Sequence, residues 1–283
     1  MKRKIASKDF SISDLPSNRK EVFSDCLKNR YKYLMACGMA VFLTSIPLLL
    51  VCFLKSFYLL ALLEELNNEI ISNEDYYSAT MMYTLLFDGL IVVSTLIVAL
   101  GISGATRVIR QIGWEEPLFF GKDFADGIKM NYKYIVVHLL VLALMYLIAD
   151  LSLQAELQFS LFRYIPIAIF LFIIIPLSLY NISQTNIYKM TNLSATKNSL
   201  LFLLKSVPAC VVFSLVIILV MLINFIPNFV IKFLLYVLIL IFLFPIYYLA
   251  WFLYSCSMFD KYINVNSYPE LVDKGITRKE NNE

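Results

Sequence analysis

A charge inside an otherwise apolar stretch is the first place to look for chemistry, and Asp88 is such a charge: no other Asp, Glu, Lys or Arg occurs between Met81 and Ala105. An ionised carboxylate in hydrocarbon is costly unless it is paired or hydrated. Lys55, in the apolar run before it, reaches a similar depth when both runs are measured from the same side, near the outer interface. The pair Lys55 and Asp88 therefore reads first as a structural ion pair and second as a charge that meets a substrate. Asp150 reads as an outer-rim residue. The single histidine, His138, lies about one turn inside a third apolar run and has no partner at a relay or metal-ligand spacing, so it reads as a packed or headgroup-facing side chain. The five cysteines at 26, 37, 52, 210 and 256 are scattered and suggest neither a disulfide framework nor a metal site. No phosphate-binding, dinucleotide-binding, zinc-protease or nucleophile-elbow motif is present, so no catalytic residue, metal ligand or cofactor site is assigned, and the chain is not expected to be an enzyme.

The elements that position these charges follow from composition. Of 283 residues 60% are hydrophobic and 16% charged, with mean hydropathy +0.73, which excludes an ordinary water-soluble domain. Six apolar runs, at about 33–57, 81–105, 134–153, 162–182, 206–225 and 230–254, each supply the roughly 20 residues a helix needs to cross a bilayer. Pro47, Pro166, Pro176 and Pro245 fall inside runs and should bend them, whereas Pro208 sits in a first turn, where a missing N–H is tolerated. The first connection, Glu64 to Asp75, holds five acids and no base, and Gly101 and Gly104 end the second run with small residues that admit a neighbouring helix. Trp114 is expected at headgroup level. With both termini inside, all but Lys55, Arg163 and Lys232 of the 24 Lys and Arg are cytosolic, while Glu64, Glu65, Glu69, Glu74, Asp75, Asp150 and Glu156 lie outside. That asymmetry predicts a multi-pass protein with both ends in the cytosol.

An internal repeat refines this picture. Phe23-Ser-Asp-Cys-Leu-Lys-Asn-Arg-Tyr-Lys-Tyr-Leu34 returns as Phe124-Ala-Asp-Gly-Ile-Lys-Met-Asn-Tyr-Lys-Tyr-Ile135, and Thr196 to Lys205 forms a weaker third copy. Each copy precedes an apolar run. The expected fold is thus an all-α, polytopic bundle of six membrane helices in three hairpin units, about 23–110, 124–189 and 196–261, each led by a cytosolic amphipathic helix. Residues 1–22 form an N-terminal cytosolic segment and 261–283 a cytosolic tail. Within the two lead-ins, Phe23, Asp25, Lys28, Tyr31, Lys32 and Tyr33, and Phe124, Asp126, Lys129, Tyr132, Lys133 and Tyr134, are candidates for a cytosolic collar anchored by the two Phe. Their bases suit anionic lipid headgroups, their aromatic face lipid or the bundle itself, and their free polar face a membrane-protein partner. Nucleic acid is not implied.

At Leu100-Gly-Ile-Ser-Gly-Ala-Thr-Arg-Val-Ile-Arg110 followed by Phe124-Ala-Asp-Gly-Ile-Lys-Met-Asn-Tyr-Lys133, the sequence resembles the YesL-like bacterial integral membrane family, a domain of unknown function. The resemblance spans roughly residues 23–260. It implies a bacterial inner-membrane protein associated with carbohydrate uptake and use, and supplies no catalytic residue. The chain departs from the family pattern in its longer acidic first outer loop and its six spans.

Two functional classes follow: a non-enzymatic accessory, assembly or regulatory partner of a membrane transport system, favoured by the scarcity of intramembrane charge, or a small-solute transporter or channel using the proline-bent helices. Substrate, partner and oligomeric state are not encoded legibly. The topology is testable: a cysteine introduced at Asn68 is expected to react with an impermeant thiol reagent in intact cells, and one at Asn192 is not. Labelling at Asn192 alone would reverse the orientation.

Overall fold

The structure, a computed structural model, describes residues 15–155, 160–226 and 228–276. Most of the N-terminal segment, Glu156, Pro227 of the turn before the last run and the end of the tail lie outside the described residues. Eight helices and no strand occur among those described: α1 (Arg19–Asn29), α2 (Tyr31–Asn67), α3 (Asn73–Gly113), α4 (Phe120–Gln154), α5 (Leu161–Ile187), α6 (Asn192–Lys205), α7 (Val207–Phe225) and α8 (Phe229–Ser267). Six of them, α2, α3, α4, α5, α7 and α8, are long and apolar enough to cross a membrane. The protein is an all-α, multi-pass membrane bundle. An even number of crossings returns the chain to its starting face, called here the terminal face.

The helices outrun the apolar runs. α2 has 37 residues and α3 has 41, roughly 55 and 60 Å at about 1.5 Å per residue, against about 30 Å of hydrocarbon. The acidic connection therefore shrinks to a turn. Glu64 and Glu65 belong to the end of α2, Glu69 sits in the turn with φ +59°, and Glu74 and Asp75 occupy the first turn of α3 behind the Ser72 cap. Carboxylates at a helix start complement its dipole, and the Ser72 Oγ accepts the Asp75 N–H. The long connection before the second lead-in shrinks likewise to residues 114–119. Of the three lead-ins, α1 is set off by a break at Arg30 and α6 by one at Ser206, while the second runs unbroken into α4.

The core is one-sided. Near the terminal face the last helix is largely buried, with Leu249, Trp251, Phe252 and Phe259 at 0% exposure. Toward the opposite face, none of its residues from Phe229 to Leu243 is buried, and α7 buries only Cys210 and Ser214. The chain ends close the terminal face. Arg19 of α1 donates to Asp260 at 2.9 Å and to the Lys274 carbonyl at 2.5 Å, and Leu271 and Ile276 pack on the same core. Trp114 is not a free headgroup anchor, because the returning tail covers it: it is buried against Phe252, with Lys274 4.2 Å and Arg110 5.0 Å from its ring.

Prolines explain two bends. Pro176 and Pro245 each follow a five-residue π turn, Phe170–Ile174 and Ile239–Leu243. A helical proline lacks a donor and crowds the carbonyl four residues back, and a wider turn relieves both. The freed carbonyls then serve the tertiary structure. Leu171 O accepts the Ser214 hydroxyl of α7 at 2.7 Å. The Ile241 carbonyl lies against Gly38 of α2, where an added Cβ would stand 2.0 Å from it. Gly101 and Gly104 make the close approaches their size suggests, to Thr44 of α2 and to the Phe124 ring of α4.

Gly38→Ala is therefore expected to cost about 1–3 kcal/mol of stability, as overpacking against backbone does. Gly89→Ala, which meets nothing within 4 Å, serves as the control. Equal thermal unfolding midpoints for the two variants in detergent would sink this account of the α2–α8 contact.

Candidate functional site

Three helices deliver one charge each to a single point. Lys55 from α2 donates to Asp88 Oδ1 of α3 at 2.6 Å and also to Asp150 Oδ2 of α4. Asp88 is fully enclosed and Lys55 is 7% exposed. Asp150 is therefore a full member of the ion cluster, a correction to its reading as a rim residue. The signal was present in the sequence: Asp150 lies 16 residues past Tyr134 and Asp88 lies 17 before Ala105, nearly the same depth on antiparallel helices. The cluster is extended by Gln154, which donates to Asp150 Oδ1 at 3.3 Å and accepts from Thr84 at 2.8 Å. One ammonium serves two carboxylates, so with both ionised the cluster carries one negative charge in excess. Asp88 Oδ2 is buried without a hydrogen-bond partner.

This cluster forms part of the wall of a cavity of about 660 Å3 in the half of the bundle away from the terminal face. Every spanning helix contributes: Ser45, Cys52 and Lys55 from α2, Ile91 from α3, Tyr146 and Asp150 from α4, Ile167 from α5, Met221 and Asn224 from α7, and Tyr236 and Leu240 from α8. The lining is mainly apolar. Its polar side chains are Ser45, Ser56, Lys55, Tyr146, Asp150 and the pair in which Asn224 accepts the Tyr236 hydroxyl at 2.7 Å. A cavity of this size, apolar with a handful of converging polar groups, is the usual form of a small-molecule site, typically about 300–1,000 Å3.

A second cavity, about 610 Å3, opens at the terminal face and is lined by Asn131, Tyr134, Thr185, Tyr188, Lys189 and Thr191 among others. Behind it lies a buried polar cluster. Asn131 donates to Asn186 Oδ1, Asn186 donates to Tyr248 Oη at 3.3 Å, and Arg110 donates to the Asn186 carbonyl at 2.7 Å. These groups tie α3, α4, α5 and α8 together. Arg110 entered the sequence reading only as the end of the stretch that carries the family resemblance, and Asn131 and Asn186, whose partners lie more than fifty residues away, were not singled out. Helices α4 and α5 thus line both cavities. His138, between the two on α4, is buried, with Nε2 unpartnered. Among the described residues no three His, Cys, Asp or Glu side chains converge as a metal site would require.

The collar residues separate into two groups. The expected face, centred on Phe23 and Phe124, is shifted by one position: the enclosed residues are Val22 and Cys26 on α1, and Asp123, Gly127 and Asn131 on α4. The shift follows from packing. α1 lies against α3 and α8, with the Cys26 thiol 3.5 Å from the Ile112 carbonyl, and burial pushes that thiol up to about 12. Gly127 meets the α3 backbone so closely that a Cβ would stand 2.8 Å from the Ser103 carbonyl. Phe23 flanks the core, and Phe124 stacks on Phe120 at 5.7 Å and on Gly104, so both rings face the bundle. Asp25 accepts from Asn29, and Tyr132 donates to the Leu96 carbonyl. Asp126 is half-buried, while Lys28, Tyr31, Lys32, Tyr33, Lys129, Lys133 and Tyr134 stay exposed as a basic, aromatic rim.

Fold and site together define a six-span membrane bundle with a central cavity and one buried three-charge cluster. Compared with family models, curated proteins and solved structures, the chain matches none.

The cluster generates a stability prediction. Removing one member of a buried charge pair typically costs about 3–5 kcal/mol, because the remaining charge is stranded. Lys55→Met, which leaves two carboxylates facing each other, is expected to fall in that range, and adding Asp88→Asn should restore part of the loss. Additive effects in a double-mutant cycle would show that the two side chains do not act together.

Proposed function

We propose that this protein is a non-enzymatic membrane transport protein that binds a small, largely apolar solute in the cavity shared by its six spans. The observation that carries the reading is that every spanning helix borders this one cavity, beside the only ion cluster described within the spans. The cavity lies in the loosely packed half of the bundle, and the cavity at the terminal face shares two helices with it. Such an arrangement is what alternating exposure of one solute requires. The other reading, an accessory partner docked through the free polar face of the collar, keeps its anchors, since Phe23 and Phe124 pack on the bundle, but it leaves the cavity without a role.

The setting proposed for this activity is the bacterial cytoplasmic membrane, with both termini in the cytosol. Two things support it: the excess of Lys and Arg on the terminal face and the resemblance to YesL-like membrane proteins. The exposed bases and rings at Lys28 to Tyr33 and Lys129 to Tyr134 then meet anionic headgroups. The three hairpin units are proposed as copies of one ancestral pair. The paired π turn and proline in α5 and α8 support a common origin for the second and third.

Cys52 offers a direct test, because it lines the cavity whereas the other four cysteines are buried in packed regions. Cys52→Trp should obstruct the cavity and leave the thermal midpoint within a few degrees of wild type, and native mass spectrometry of protein extracted from membranes is expected to detect small molecules retained by the wild type and far less of them with the variant. Equal retention of those molecules by the filled variant would remove the reading.

A further inference from the structure

Resting on the cavity as a solute site, we infer that its ligand is a small organic cation, an amphipathic amine or onium ion, held by the Asp150 carboxylate. The argument is one of charge. Among the described residues, Lys55 and Asp150 are the charged side chains on the cavity wall. The Lys55 ammonium is already shared, because Asp88 holds it from behind at 2.6 Å with a side chain that is fully enclosed. Asp150 is the exposed partner of the three, with its side chain 19% accessible. The excess negative charge of the cluster therefore borders the cavity at Asp150. Asp150 shares Lys55 with Asp88, so two carboxylates face one ammonium, and with both ionised their field at the cavity wall attracts a cation and repels an anion of the same shape.

The rest of the lining suits the body of such an ion. Phe53, Tyr146, Phe225 and Tyr236 contribute aromatic surface, and Phe53 packs with Phe229, Phe233 and Tyr236 at centroid distances of 4.6 to 6.3 Å. Lys55 itself lies 6.0 Å from the Tyr146 ring, so that ring already faces a cation. Aromatic faces attract onium groups through their quadrupoles, most strongly where water is excluded. Asp88 and Lys55 act as positioning residues: they hold the Asp150 carboxylate in place and set the sign of the site.

Two ions of one shape and opposite charge make the test. Binding of tetraphenylphosphonium, of tetraphenylborate and of neutral triphenylphosphine oxide is measured by equilibrium dialysis on the purified full-length protein in nanodiscs, with empty nanodiscs subtracted. Saturable binding of the phosphonium at least tenfold tighter than of the borate is expected. Asp150→Asn should weaken the phosphonium at least tenfold and leave the neutral oxide unchanged, and Asp150→Glu should restore cation binding. Should Asp150→Asn fail to fold, the comparison of the two ions on wild-type protein still decides. Equal or tighter borate binding, or phosphonium binding indifferent to Asp150→Asn, overturns the cation assignment. Binding of the neutral oxide alone overturns it while keeping the cavity as a solute site, and binding of none of the three overturns both.

Discussion

One ammonium shared by two carboxylates sets the terms for the rest of this bundle. Lys55, Asp88 and Asp150 come from three successive spanning helices, and a charge left alone in an apolar medium is expensive. The helices must therefore keep a fixed register along the membrane normal. Sliding α2, α3 or α4 by a single turn, about 5.4 Å, would strand at least one ion. The apolar surfaces impose no comparable constraint, because lipid tails solvate Leu and Phe as well as a neighbouring helix does. Small residues then supply the closeness: Gly101 brings α3 to Thr44 of α2, and Gly127 brings α4 to α3.

The uneven closure of the core has an equally local cause. Near the terminal face, large aromatic side chains such as Trp251, Phe252 and Phe259 fill the centre, and Arg19 and Asp260 lock the rim. On the other side of the Pro176 and Pro245 bends, α5, α7 and α8 lose that contact and the cavity stands between them. The two π turns lie at this boundary. Carbonyls of these turns face neighbouring helices: Leu171 O accepts from Ser214, and Ile241 O lies where a side chain on Gly38 would stand. The bends are thus built into the packing and not left to the backbone alone.

Much of this was legible in the sequence, and the limits were physical. Apolar run length announced six crossings, and depth counting brought Lys55 to Asp88. Helix ends were underestimated because hydropathy marks where lipid ends, whereas a helix continues as long as its hydrogen bonds are supported; Glu64 and Glu65 remain helical on those grounds. The face of α1 was misplaced by one residue since Phe23 is more hydrophobic than Val22, yet the groove between α3 and α8 accommodates the smaller side chain. Asn131 and Asn186 escaped notice because a single amide carries no periodic signal, and its partner is fixed only by the tertiary fold. Asp150 was within reach, and discounting it as a rim acid hid the excess charge.

The clasp formed by Arg19, Asp260 and the Lys274 carbonyl joins residues 241 and 255 positions apart, and this has a bearing on how the protein is made. A ribosome delivers α1 well before Asp260 and Lys274. Until the final helix has been inserted and its end has emerged, the centre of the terminal face lacks Trp251, Phe252 and Phe259, and α1 has nothing to seat against on that side. Spans α2, α3 and α4 can already lock through their charge cluster, whereas α1, α5 and α7 must wait for the last span to complete their packing. Closure waits for the end of α8, so its loss would leave an inserted chain without a centre, the kind of substrate that membrane quality control removes.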